Sequence, residues 1–177
     1  MDVLAHFFWT FAIFFRRKKE RWLAALFGVM PDLLSFGPHF LLSLFAESWG
    51  FGGRTALANI PGYIFLLYNI THSFVVFLVV FLLMYVFARK VYWPLAGWGL
   101  HIAIDIPTHS KAFFATPFLW PVSGFTVEGV SWGTPWFLMV NYAALVVVYS
   151  YLFYAYYKGK KNSNKNQRNQ STYIKSH

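Results

Sequence analysis

No cysteine occurs among the 177 residues, which excludes disulfides, thiolate metal sites and cysteine nucleophiles. Charge is also scarce. Asp, Glu, Lys and Arg make up 12% of the chain, about half the ~25% usual in soluble domains. Acids are the scarcest of all, with six Asp and Glu against 15 Lys and Arg. Any ion held by this chain must therefore use imidazole, a handful of carboxylates or neutral oxygens. What fills the space instead is apolar: 58% of residues are hydrophobic, including 21 Phe, 11 Tyr and 8 Trp. Such a surplus exceeds what one soluble core needs, so the composition reads as an integral membrane protein.

The net charge of +9 does not point to nucleic acid, because the cations are segregated. Five lie in "RRKKER" (16–21), two in "RK" (89–90) and six from Lys158 onward. Basic clusters separated by apolar runs are what the positive-inside rule predicts for cytoplasmic loops. The clearest spans are 61–88 and 135–157, each reaching the ~20 residues a bilayer-crossing helix needs. Segments 3–15, 22–34 and 92–106 are shorter, and 36–46 is a further apolar stretch. The expectation is an all-α, polytopic membrane helical bundle of about five segments, some short or broken. Residues 1–157 form its membrane-embedded domain, and 158–177 are a polar, basic, disordered cytoplasmic tail that touches anionic headgroups. The basic run follows the first apolar segment instead of preceding it, which argues against a cleavable signal. The N-terminus is then outside, and loops 47–60 and 107–134 face outward.

Within this apolar chain, "HIAIDIPTHS" carries His101, Asp105 and His109, each four residues from the last. His101 and Asp105 at i,i+4 share one helix face. Pro107 disfavours helix at Ile106, so the helix is expected to end just after Asp105. His109 then lies on the following turn, where it ligates, relays protons or faces solvent. Each polar residue also has an ordinary reading. His72 can be an interhelical hydrogen-bonder, Asp32 a helix-end residue after Pro31, and His6 an interfacial side chain. His39 reads as a turn residue and His177 as tail. Glu47 and Glu128 belong to outer loops, with Glu128 also a candidate general base.

Depth argues for a shared role. Counting ~1.5 Å per helical residue from the nearest basic cluster places His6, Asp32 and His101 at roughly 15–16 Å, Asp105 at about 22 Å and His72 at about 25 Å. Two of the three Asp thus fall at comparable depth with three His. A divalent cation would neutralise groups that are otherwise costly there. Without thiolates, imidazole and carboxylate suit zinc best, with Mn or Fe as alternatives.

Taken in order, a His near the start, "GVMPD", "THS", "HIAIDIPTHS" and "PFLWP" resemble the YdjM-type family of membrane-bound, metal-dependent hydrolases over roughly residues 6–124. The resemblance implies an inner-membrane protein with hydrolase activity and a metal set of His6, Asp32, His72, His101 and Asp105. The order His…Asp…His…HxxxD is also similar to that of the soluble zinc-dependent phospholipases C, which makes His109 a counterpart of their next His. Those enzymes add an N-terminal Trp and a late HxxxE, neither of which this sequence carries, so one or two ions are implied.

The function expected is metal-activated hydrolysis of a lipid or other membrane-associated phosphoester, with Asp32, Asp105 and His109 as catalytic candidates. Thr108, Ser110 or Ser73 are candidate hydrogen-bond donors to the ligands or to a developing oxyanion. The competing readings are a small His/Asp-lined cation or proton transporter, to which homodimerisation would supply a second half, and a membrane scaffold with a structural metal.

Overall fold

The computed structural model describes residues 1–45 and 60–175, and it is helical throughout, with no strand among them. Seven α-helices follow one another: α1 (Val3–Ile13), α2 (Arg21–Ser35), α3 (Gly37–Phe45), α4 (Gly62–Thr71), α5 (Phe74–Ala88), α6 (Ala96–Thr108) and α7 (Pro135–Lys175). A 3-10 turn, Trp93–Leu95, leads into α6. The all-α expectation therefore holds. Residues 1–139 form one compact unit and 140–177 a second.

The first unit is organised around α2. The Asp2 carboxylate caps α1 by accepting from the Ala5 N–H (3.0 Å), and the turn after α1 is stitched by Arg17 donating to Glu20 (3.0 Å). The chain then doubles back as α2, which packs between α1 on one side and α6 and α4 on the other. Small residues set that spacing. A Cβ on Gly97 of α6 would collide with the Ala24 carbonyl and approach the Gly28 nitrogen to 3.2 Å, and one on Gly28 would meet Thr10 Cβ of α1 at 3.0 Å. Backbones can approach this closely only where side chains are missing.

Two expectations about helix ends are corrected. The span 61–88 is not one helix: α4 and α5 meet at His72 and Ser73 with a bend of 54°. Ser73 adopts an extended conformation and N-caps α5 by accepting from Val76 N–H (3.2 Å), while its hydroxyl donates to the Trp120 carbonyl. The Phe74 N–H donates to the Phe118 carbonyl (2.9 Å), and the Trp98 indole donates to the Thr71 carbonyl (2.6 Å). The backbone groups freed by the break are thus taken up by the "PFLWP" loop and by α6, which is why a break inside an apolar run is tolerated.

Pro107 does not end α6 at Asp105. The helix continues to Thr108, whose hydroxyl donates back to Ile104 (2.9 Å), and the His109 N–H still donates to the Asp105 carbonyl (3.1 Å). Proline forfeits only its own N–H, so the turn survives, and the chain leaves in an extended conformation at His109. The last carbonyls of α6 are met from across the loop: Gly129, Val130 and Trp132 N–H groups donate to His109, Pro107 and Thr108 at 2.9–3.0 Å.

One helix among the described residues, Pro135–Asn162 within α7, is long and apolar enough to cross a membrane, and α4 with α5 passes the same test if counted as one broken span. The surface is unusually oily, with Leu78, Leu82 and Phe87 of α5 exposed, the last at 83%. The tail expected to be disordered is drawn as a continuation of α7 to Lys175. It holds no proline, the residue that would stop a helix outright.

Replacing Gly97 by Ala is expected to push α6 off Ala24 and lower stability by about 1–3 kcal/mol, the cost of overpacking a tight contact. Thermal unfolding of the detergent-purified chain reads this directly, and an unchanged midpoint would contradict the close approach.

Candidate metal centre

Three elements deliver four polar side chains to one place. Asp32 follows Pro31 on α2, His72 is the residue at which α4 stops, and His101 and Asp105 lie one turn apart on α6. One ligand-type atom from each of Asp32, His72, His101 and Asp105 lies within 4.8 Å of the others. His72, His101 and Asp105 are fully buried, and Asp32 is the member that reaches the surface, at 14% exposure.

The outer ring nitrogens fix which atoms face inward. His101 Nδ1–H donates to the Gly28 carbonyl (2.7 Å). His72 Nδ1 lies 3.1 Å from the Tyr68 carbonyl and 2.9 Å from Thr71 Oγ1, whose own proton goes to Leu67 O (2.9 Å). Both Nδ1 atoms therefore act as donors, leaving both Nε2 atoms as lone-pair acceptors. These two Nε2 atoms stand 3.0 Å apart. Asp32 Oδ1 lies 3.4 Å from His72 Nε2 and 3.7 Å from His101 Nε2, and Asp105 Oδ2 lies 3.5 and 3.2 Å from the same atoms. Asp105 Oδ2 is buried with no hydrogen-bond partner. With both rings neutral, four lone-pair atoms converge here, and they repel one another unless a cation or a proton lies among them.

The donor set fits such a cation. Bonds of about 2.0–2.1 Å in a tetrahedron imply ligand–ligand edges of about 3.3–3.4 Å. The five edges given above run from 3.0 to 3.7 Å and bracket that value. Two imidazoles held by backbone carbonyls and two carboxylates also make a chemically ordinary zinc set.

Asp105 faces a second group with its other oxygen. Oδ1 lies 2.9 Å from His6 Nε2 and 3.4 Å from His109 Nδ1, accepts from Thr108 Oγ1 (3.4 Å), and is bonded by the Met1 amino group. The His6 ring stacks on that of His101 with centroids 3.8 Å apart. All five sequence-nominated ligands thus meet. His109 joins them, because the helix carries on past Pro107 and keeps it on the Asp105 face.

Other candidates fall elsewhere. Ser73 spends its hydroxyl on Trp120 and the α5 cap, and Ser110 lies on the turn beyond His109. Glu128 is exposed and accepts from the Lys111 N–H (3.1 Å). His39 sits on α3 outside the group, and Glu47 and His177 lie outside the described residues. Two contributors went unnoticed in the sequence. Tyr68 supports His72 with its carbonyl and stacks its ring on the imidazole (3.8 Å), and Gly28 supplies the carbonyl that orients His101. The available signal was spacing, since Tyr68 and Gly28 each precede a ligand, His72 and Asp32, by four residues.

No protein-family model matches the chain, and no curated protein or solved structure matches it significantly. The site therefore stands on its own geometry.

Asp32→Asn replaces an oxygen in the lone-pair cluster by a donor. Its metal-free form is expected to be at least as stable as the metal-free parent chain, while the stabilisation by added Zn²⁺ disappears. For the parent chain that stabilisation is about 2.7 kcal/mol at a metal concentration of 100 Kd. Melting curves with chelator and with zinc decide between the two forms.

Proposed function

We propose that the chain is a multi-pass membrane hydrolase that depends on a divalent metal, best fitted by zinc, and cleaves a lipid or other membrane-associated phosphoester. The observation that carries this reading is the convergence of four bare lone-pair atoms at tetrahedral spacing, beside a fifth and sixth ligand-type residue. Asp32, His72, His101 and Asp105 would hold one ion. His6, on the outer oxygen of Asp105, would extend that metal set. A bound ion supplies a polarised phosphoryl oxygen and a water acidic enough to ionise near neutral pH.

The chain's own residues have distinct parts. Asp32, the most exposed of the four at 14%, is placed to meet the incoming group and to accept the proton of an attacking water. His109, 7% exposed at the end of α6, is placed to return a proton to the leaving oxygen. The YdjM-type resemblance and the oily exterior support the same reading and its placement: about five membrane segments, the N-terminus outside and the basic clusters at the cytoplasmic face.

A second reading has one observation behind it. The α4–α5 helix breaks at His72 itself, as the discontinuous helices of transporters do at their ion sites. The same cluster would then pass a cation or proton.

The two readings part in one experiment. Detergent-purified chain is analysed for bound metal, then assayed against lipid phosphomonoesters and phosphodiesters, and in proteoliposomes for zinc and proton flux. The hydrolase reading expects one or two zinc ions per chain, turnover of at least one ester class, and a loss of 100-fold or more in kcat/KM in His101→Ala and Asp105→Ala, the scale of lost metal ligation. Metal without turnover, together with flux, would falsify it.

A further inference from the structure

We propose that the basic runs 16–21 and 89–90 form a single binding surface for the phosphate headgroups of anionic lipids. The two runs are far apart in sequence, but the fold joins them. The Arg17 guanidinium lies over the Trp93 ring at 4.5 Å, and Trp93 is only four residues beyond Arg89, at most ~14 Å of extended chain. Both runs therefore sit at the same end of the first unit.

The cations there divide by task. Arg17 is held by Trp93 and Glu20, and Arg21 lies over the Phe11 and Phe15 rings (5.1 and 5.3 Å) while donating to the Phe15 carbonyl. These two fix the frame. Arg16, Lys18, Lys19, Arg89 and Lys90 are exposed, and among the described residues none of them has an acidic partner, since Glu20 is already engaged by Arg17. Arg89 ends α5 with a φ of 52°, in the left-handed region where glycine would be unstrained. A cation kept in that strained position points to a use for its charge.

The neighbours of these cations indicate which anion. Trp22 is 59% exposed, Trp93 45% and Phe87 83%, with Leu23 and Val91 also exposed beside them. Free cations interleaved with exposed indoles and aliphatics fit the boundary between lipid phosphates and acyl chains, whereas a nucleic acid or free phosphate would leave this apolar rim in water. The surface lies at the far end of α2 and α6 from the metal ligands, so it is separate from the catalytic centre. The inference rests on the membrane placement proposed above but not on the metal.

The test reconstitutes the full chain into nanodiscs of phosphatidylcholine containing a minor share of phosphatidylglycerol. Co-purified lipid is counted after mild extraction, and the K18Q/K19Q/R89Q/K90Q variant is compared with the parent. Phosphatidylglycerol is expected to be enriched about fivefold or more at low salt, falling as salt rises and vanishing in the variant, with metal content unchanged. The milder K18Q/K19Q pair is expected to give an intermediate enrichment, should the fourfold variant fail to fold. Equal retention of both lipids, or enrichment that survives in the variants, overturns the inference. So does enrichment abolished instead by neutralising Lys158, Lys160 and Lys161. A parent chain that does not enter the nanodisc bilayer overturns the membrane placement as well.

Discussion

Asp105 holds the site together. One oxygen faces the two imidazoles that also meet Asp32, and the other faces His6, His109 and the Met1 amino group. Through that one carboxylate α1, α4 and α6 are tied to one another, with α2 joined through Asp32. A carboxylate buried this completely is stable only if positive charge surrounds it, so the arrangement constrains every helix that supplies a neighbour. The unpartnered oxygen on its inner side is what makes this polar network a candidate cation site.

The helices reach that carboxylate because several of them stop or thin out beside it. α4 ends at His72, α6 ends at His109, and α2 runs past both on the glycine contacts at positions 28 and 97. Breaks inside apolar segments expose backbone groups, and the loop 118–132 takes up nearly all of those described. That loop therefore acts as part of the scaffold: it closes the α4–α5 break at one end and the α6 terminus at the other. The aromatic cluster of Tyr68, Phe114 and Phe36 fills the space between them, with Tyr68 also bonded to the Phe114 carbonyl (2.9 Å).

The same principle separates the two ends of the first unit. At one end, His and Asp side chains are buried together. At the other, cations are left in the open between exposed aromatics. Apolar side chains coat the sides between. Such a distribution suits a molecule whose chemistry is screened from water while its charge is offered at a boundary.

Much of this was legible in the chain. The all-α class followed from apolar runs punctuated by basic clusters, and the gathering of Asp32, His72, His101 and Asp105 followed from depth counting, because helical rise is uniform and the scarce Asp residues had few alternatives. Helix ends were less legible. Pro107 was expected to release His109, but a proline near a terminus costs one hydrogen bond and leaves the turn intact. The break at His72 depended on partners in residues 98, 118 and 120, which no local pattern announces. By itself, then, the sequence determined which residue types had to gather and on which helix faces. Only the tertiary structure decided that His109 joins them, that Asp105 serves two groups at once, and that Arg17 meets Trp93. Those outcomes depend on backbone approach and on hydrogen bonds between segments distant in the chain, which local spacing does not encode.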